Sequence, residues 1–144
     1  LNSHTVEKHW SLNGGEGPTG LEYDPETKRL FSSCEKQLII SDAASGKVIH
    51  KVPIGEGCDG VAFDKKNKII LTSNGEGTMT AIKESNADSY VVLGNYQTKR
   101  GARTIAIDDN TGTLYLPTAD FEPNTKAGER PKMIAGTFQV LEVK

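Results

Sequence analysis

The sequence predicts an all-β fold built from repeated units of four short strands. Three segments align with one another, each opening on glycine and closing on aspartate: residues 17–24, 57–64 and 101–108. Their aspartates, Asp24, Asp64 and Asp108, lie 40 and then 44 residues apart. A period of about 40–45 residues is typical of a four-stranded propeller blade. Within each segment apolar residues alternate, which is the period of a strand and excludes repeats of paired helices.

The first unit contains one candidate for each of four antiparallel strands, a to d. Turn-forming sequences separate a from b at Asp24-Pro25-Glu26-Thr27 and c from d at Ala44-Ser45-Gly46. The predicted strands cover residues 18–24, 29–34, 37–42 and 47–54. The second unit repeats the order at residues 58–64, 68–74, 77–84 and 89–97.

The third unit departs from this order after its second strand. Strands a and b are predicted at 103–108 and 113–118, and a long loop rich in Pro, Gly and Lys at 119–135 precedes strand c at 136–143. No strand d follows, but the alternating residues 5–12 could supply one at the start of the chain. The predicted domain is therefore a partial β-propeller over 1–144, made of a lone outer strand d at 1–14, blades at 15–54 and 55–97, and a blade lacking strand d at 98–144.

Three blades are too few for a closed ring, because closed propellers typically have 4–8 blades. We therefore expect the chain to belong to a larger ring of about six or seven blades. The remaining blades of the same protein, or a second copy of this chain, would complete it. Both ends of the predicted array carry unpaired strand edges, which favour pairing with another chain.

The first unit resembles the YVTN-repeat β-propeller family along its whole length. The matching segments are Pro18-Thr19-Gly20-Leu21, Lys28-Arg29-Leu30-Phe31, Leu38-Ile39-Ile40-Ser41-Asp42 and Ser45-Gly46-Lys47-Val48-Ile49. The tetrapeptide that names the family is degenerate here, since its positions read FSSC, LTSN and YLPT. The resemblance implies the C-terminal three blades' worth of a bacterial, secreted protein with a periplasmic or extracellular location. It implies no particular activity, because propellers carry many functions.

The repeat also separates structural residues from functional candidates. The three repeated aspartates occupy the same a–b corner, where Asp caps a turn, so we interpret them as structural. The d–a and b–c connectors lie on one side of the blades and are the longer ones. We call this side the long-loop face, and we predict that it binds ligands because binding residues concentrate on loops of a rigid scaffold. It comprises residues 13–19, 34–37, 55–59, 74–77, 97–103 and 119–135.

Charged and aromatic residues on this face are the candidate binding residues. Glu16, Glu56 and Glu76 each stand in a Gly-Glu-Gly triplet, and Asp59 lies nearby. They could form an acidic rim that attracts a cation, or the glycines could serve tight turns while the glutamates are merely exposed. The third unit carries basic residues instead, which could pair with Glu56 or Glu76 or hold an anion. The basic and long-loop candidates are Arg100, Arg103, Asp120, Phe121 and Arg130.

The cysteines, the histidines and the other reactive residues form no recognisable catalytic or metal-binding motif. Cys34 and Cys58 map to the same face of neighbouring blades, so they could form a disulfide or remain two buried free thiols. The sequence has no Cys-x-x-Cys pair, no metal-binding spacing of histidines and no nucleophile or phosphate-loop motif. We therefore predict no catalytic residue, metal or cofactor in this chain. A net charge of −2 and the lack of a long apolar run predict neither nucleic-acid binding nor membrane insertion.

The favoured interpretation is a non-catalytic scaffold or binding module that presents the long-loop face to a protein, a glycan or a small ligand. One alternative is the propeller part of an enzyme, a lactonase-like hydrolase or a subunit of a redox dehydrogenase, whose metal or cofactor ligands lie outside this chain. Another is a structural repeat protein of the cell surface. The sequence alone leaves these three open.

Overall fold

The computed structural model describes residues 4–123 and 131–144. Within these ranges the chain is all-β, with eleven strands and no helix. The strands are β1 (Gly20–Asp24), β2 (Arg29–Ser33), β3 (Gln37–Asp42), β4 (Val48–Pro53), β5 (Cys58–Asp64), β6 (Ile69–Asn74), β7 (Thr78–Asn86), β8 (Ser89–Gln97), β9 (Ala106–Ile107), β10 (Leu114–Thr118) and β11 (Gln139–Val143).

The strands form three antiparallel sheets that correspond to the predicted blades. Blade 1 has the order β1-β2-β3-β4, blade 2 the order β5-β6-β7-β8, and blade 3 contains β9, β10 and β11. Within each blade, every strand pairs with its neighbour along the chain, as in a meander. This arrangement confirms the all-β blade architecture predicted from the repeat.

Blade 3 is the least regular of the three sheets. Its first strand has only two residues, Ala106–Ile107, where the alternation predicted a strand over 103–108. The preceding residues pack against blade 2 instead, because the Arg103 carbonyl accepts a hydrogen bond from the Ser73 hydroxyl. The backbone at 103–105 also lies directly against Gly60, so blade 2 holds this segment away from the β10 ladder.

The hydrophobic core lies between the blades, in two clusters. Phe31 of β2 and Phe63 of β5 are fully buried and join blade 1 to blade 2, with ring centroids 5.1 Å apart. Leu71 of β6 and Leu116 of β10 belong to the second cluster, which joins blade 2 to blade 3. Burying one such side chain stabilises a fold by about 1.5–3 kcal/mol, so the contacts between blades contribute substantially to stability.

The segment before blade 1 does not form the predicted lone strand d. The structure forms no strand over residues 4–12. The segment instead packs on blade 1. The Trp10 ring covers Gly46, and the Lys51 ammonium donates a hydrogen bond to the Asn13 carbonyl. A strand d at 1–14 stays a prediction for the completed ring.

Over residues 4–123 and 131–144, the structure contains no helix of the length and apolar character that crossing a bilayer requires.

Candidate functional site

Backbone hydrogen bonds connect the blades on the long-loop face. The amide of Gly101 donates to the carbonyl of Gly75, and the amide of Gly75 donates to the carbonyl of Gly57, both at 2.9 Å. Gly57 donates to Glu35 at 3.0 Å, and Glu35 donates to Glu16 at 2.9 Å. We call this series the inter-blade hydrogen-bond chain. It runs continuously from blade 3 through blade 2 to the entrance of blade 1.

Each of the three Gly-Glu-Gly triplets contributes one residue to this chain: Glu16, Gly57 or Gly75. Their last glycines, Gly17, Gly57 and Gly77, have φ angles of 55°, 68° and 105°, which favour glycine strongly. A Cβ on Gly75 would lie 2.9 Å from the Gly57 carbonyl oxygen and 2.9 Å from Cδ of Arg103. The glycines are therefore needed for backbone conformation and close approach, which agrees with the structural interpretation of the triplets.

The glutamates of the triplets are exposed and spread along the face. Glu56 pairs with Lys36 at 2.9 Å, and Glu76 accepts a hydrogen bond from the Thr78 hydroxyl at 2.7 Å. Glu16 is exposed and contributes its carbonyl to the hydrogen-bond chain. In the part of the chain that the structure describes, no three His, Cys, Asp or Glu side chains come together as a metal site would require. The acidic rim is therefore dispersed.

Among the described residues, the inter-blade hydrogen-bond chain ends at Gly101. By the repeat, an amide of the b–c loop of blade 3 should donate to the Gly101 carbonyl, but no described residue does. The ring of Phe121 lies against Gly101 instead, with Cε2 2.5 Å from the place of a Cβ. Gly101 has a φ of 84°, so only glycine fits both the backbone and the ring. The Phe121 ring is thus a feature of blade 3 that has no counterpart at Gly57 of blade 2.

A cleft opens where the chain of hydrogen bonds ends. It has a volume of about 280 Å³, close to the lower limit of about 300 Å³ for small-molecule sites. Arg100, Arg103 and Phe121, which lie on two predicted loops, come together here, so the structure gathers three of the candidate residues. We call it the Arg–Phe cleft; its described lining residues are Gly75, Arg100, Gly101, Arg103, Phe121 and Pro131.

The two arginines of the cleft differ in their partners. Nη1 of Arg103 pairs with Oδ2 of Asp59 at 2.8 Å, and the Arg103 side chain lies along Gly75. From the sequence, Glu56 or Glu76 could have paired with the basic residues, but Arg103 pairs with Asp59 because the two lie on adjacent d–a loops. Arg100 is exposed, and its guanidinium has no hydrogen bond or ion pair to a described residue.

The long loop is described at 119–123 and 131–135, and contacts hold both segments in place. Phe121 and Met133 form an antiparallel bridge. The Ile134 amide donates to the Asp120 carbonyl at 2.8 Å, and the Asp120 carboxylate pairs with Lys99. These contacts fix the position of Phe121 beside the cleft. The candidate Arg130 lies outside the described residues.

The two cysteines do not form the disulfide considered from the sequence. Both are buried free thiols. The Cys34 sulfur packs beneath Gly15, whereas the Cys58 thiol donates to the Gly60 carbonyl at 3.3 Å. Burial raises the pKa of both thiols, which suppresses the reactive thiolate. The structure therefore gives both cysteines a packing role.

A buried polar cluster on the opposite face escaped the sequence analysis. The Thr27 hydroxyl of blade 1 lies 2.7 Å from Oδ2 of Asp24 and 3.0 Å from Oε1 of Glu84, which belongs to blade 2. Nζ of Lys68 lies 3.2 Å from Asp24, and the Tyr90 hydroxyl also reaches Glu84. Glu84 was detectable in principle, because strand alternation places it on the same side of β7 as the buried residue Ile82.

The two carboxyl groups of this cluster have opposite pKa shifts. Burial raises the pKa of Glu84, and the neighbouring charge of Asp24 adds to the effect. Burial acts in the same direction on Asp24, but hydrogen bonds from Thr27 and Glu26 and the charge of Lys68 outweigh it and lower the Asp24 pKa. The second oxygen of Glu84 is buried without a hydrogen-bond partner among the described residues. The arrangement favours a protonated Glu84 beside an ionised Asp24.

The chain was compared with known proteins at three levels. No family model matches it, and no curated protein matches it. Solved structures do match. One is the hydrazine synthase of Kuenenia stuttgartiensis, at 15% identity and a TM-score of 0.64, with 80% of this chain and 33% of that chain covered.

Two further solved structures match at similarly low sequence identity. The β-propeller domain of Myceliophteria thermophila Cps50 (Swd1) gives 16% identity and a TM-score of 0.60, with 72% and 37% covered. A 6-phosphogluconolactonase-like protein of Bacteroides fragilis NCTC 9343 gives 18% identity and a TM-score of 0.64, with 90% and 43% covered. The chain thus spans between a third and somewhat under half of these proteins. At such identities the likeness concerns the fold alone, and it identifies the three sheets as β-propeller blades.

Proposed function

We propose that this chain is a non-catalytic binding module of the β-propeller class, and that its ligand binds at the Arg–Phe cleft on the long-loop face. The observation that carries the proposal is the position of Arg100 beside Phe121 in the cleft: Arg100 is exposed, and no described residue pairs with its guanidinium. A residue shared by all blades serves the blade, whereas a feature unique to one blade is a candidate for function.

The scaffold around the cleft supports this proposal. Binding sites built on loops need a rigid framework to hold them in place. Here the backbone of Gly75 and Gly101 is fixed by the inter-blade hydrogen-bond chain, and Phe121 is fixed by its bridge to Met133. The cleft is thus largely formed before any ligand arrives, which lowers the entropic cost of binding.

We also propose that further blades of the same protein, or a second copy of this chain, complete the propeller ring. We further propose that the protein belongs to the YVTN-repeat propellers of the periplasm or cell exterior. The segments of the first unit that match this family support the assignment. The β-propeller likeness over roughly a third to under half of each solved structure agrees with a partial ring.

Comparative capture would test the placement of the site. The immobilised chain is cross-linked to components of an extract of its source cells, and the bound molecules are identified by mass spectrometry. We expect Arg100→Gln and Phe121→Ser to lose the captured partner, and Lys66→Gln, an exposed lysine in the a–b turn of the opposite face, to retain it. Partner capture that survives both cleft variants, or the absence of any captured partner, would contradict the proposal.

A second candidate is the propeller part of an enzyme. The likeness to a 6-phosphogluconolactonase-like protein over 90% of this chain favours it, although at 18% identity. A metal scan and an absorbance spectrum of the native full-length protein would distinguish it from a binding module. A stoichiometric metal or a chromophore would favour the enzyme.

A further inference from the structure

We infer that the Arg–Phe cleft receives an acidic peptide segment of a partner protein, with the carboxylate of an Asp or Glu on Arg100 and a neighbouring apolar side chain on Phe121. The inference rests on the proposed function and names the class of its ligand. Three features of the cleft support it: its charge, the end of the hydrogen-bond chain and its apolar wall.

The charge of the cleft favours a singly charged anion. Arg103 is compensated by Asp59, and the nearby Lys99 is compensated by Asp120. Arg100 is therefore the one cleft residue whose charge no described residue balances. Its planar guanidinium matches a carboxylate through two parallel hydrogen bonds. A dianionic phosphate would leave one negative charge unbalanced near Asp59 and Asp120, so the carboxylate fits better.

The end of the described hydrogen-bond chain at Gly101 favours a peptide backbone. In each of the four described hydrogen bonds of the chain, the backbone amide of one loop donates to a backbone carbonyl of the loop that precedes it in the sequence. Gly101 lines the cleft, and its carbonyl receives no such donor from the described residues. A backbone amide of an extended ligand would continue the series with the same chemistry.

The third feature is an apolar wall next to the arginine. Phe121 and Pro131 line the cleft, and Phe121 remains 36% exposed. Met133 pairs with Phe121 across the base of the loop, so their side chains lie on the same side of the bridge. Met133 is 57% exposed and extends the apolar surface. The volume of about 280 Å³ suits one or two side chains of a longer ligand.

The experiment uses two matched libraries of acetylated and amidated heptapeptides. One has Asp or Glu at the central position, the other has Asn or Gln, and both carry mixed apolar residues on either side. Retention on the full chain is measured by mass spectrometry, and the tightest peptide is titrated against ¹⁵N-labelled protein by NMR. Arg100→Gln is compared with Lys36→Gln, which removes the same charge from another blade of the same face.

We expect the acidic library to be retained at least about tenfold better than the amide library, a difference of about 1.4 kcal/mol. Arg100→Gln should remove this preference and Lys36→Gln should keep it, while the NMR shifts centre on Gly75 and Gly101. Equal retention of both libraries, retention of neither, or an acidic preference that survives Arg100→Gln would overturn the inference. Acetate or inorganic phosphate binding as tightly as the best peptide would reduce the cleft to a simple anion site and also overturn it.

The capture and library experiments together distinguish a failure of the ligand class from a failure of the proposed function. A partner that is captured through the cleft without any acidic preference would sustain the binding module and remove the acidic peptide. Failure of capture at the cleft together with failure of the libraries would remove both.

Discussion

The Thr27 hydroxyl of blade 1 lies 3.0 Å from Oε1 of Glu84 in blade 2. The same hydroxyl lies 2.7 Å from Oδ2 of Asp24. A hydroxyl has one hydrogen to donate, so it can satisfy only one of these carboxyl groups at a time. Both carboxyl groups are almost fully buried. The boundary between the blades therefore depends on the protonation of its polar groups as well as on its apolar core.

Glu84 should make the stability of the protein fall as pH rises. Its pKa is raised in the folded state, so the protonated form is favoured there, and its contribution is fully present below the ordinary value of 4.5. The contribution is lost as pH rises through the raised pKa. We expect Glu84→Gln, which is neutral throughout, to be at least as stable as the native chain at pH 8 and to lack this decline. Urea unfolding from pH 4 to pH 8 would measure it, and parallel pH profiles would contradict the assignment.

Asp24 should have the opposite dependence. Its folded pKa is lowered, so its contribution is present above the ordinary value of 3.8 and is lost as pH falls through the lowered pKa. We expect Asp24→Asn to destabilise the protein by about 1–3 kcal/mol at pH 7, because the buried contacts with Thr27 and Lys68 lose their charge. Asp64→Asn, at the matching corner of blade 2, is the control. Asp64 is more exposed, so Asp64→Asn should lower the free energy of unfolding by less than Asp24→Asn. Equal losses of stability in the two variants would contradict the role of burial.

Gly75 should not tolerate alanine. A Cβ there would lie 2.9 Å from the Gly57 carbonyl oxygen and from Arg103, so the backbone must shift and the inter-blade hydrogen-bond chain must lengthen. We expect a loss of about 1–3 kcal/mol in the free energy of unfolding. Gly94→Ala, whose Cβ would make only ordinary contacts at 3.8 Å, should be close to neutral. Thermal unfolding of both variants gives the comparison, and two equal melting temperatures would exclude the steric role.

Cys34 and Cys58 should resist alkylation in the native state, because burial both shields them and raises their pKa. Without a reductant, iodoacetamide should give almost no adduct with folded protein and two adducts per chain in urea, as intact mass would show. Rapid labelling of the folded chain would contradict the buried positions. An unfolded chain that takes up no label would show that the thiols were joined.

The blades were predictable because a repeat samples the same local rules several times. The alternation of Leu21 with Tyr23 and of Val61 with Phe63, together with corner aspartates, was enough for the strands of blades 1 and 2. Strand a of blade 3 was overestimated, because the contact of Arg103 with Ser73 of blade 2 competes with its ladder. Local alternation contains no information about such a contact.

The candidate site was predictable only in part. Arg100, Arg103 and Phe121 were identified as exceptions to the repeat, and the structure brings them to one cleft. Their partners depend on distances between loops, which sequence periodicity does not determine, so the pair of Arg103 with Asp59 was missed. The cluster of Thr27 with Glu84 was missed for the same reason, since 57 residues separate them along the chain.

The inter-blade hydrogen-bond chain has a consequence for how such a face can evolve. Because main-chain atoms and glycines set the spacing of the loops, the side chains between them carry little of the architecture. Glu16, Glu56 and Glu76 could be exchanged for other polar residues without moving the loops that bear them. The main chain thus determines the shape of the face, and the exposed side chains determine its chemistry. New binding specificities can therefore arise by substitution of these side chains without a change in the backbone.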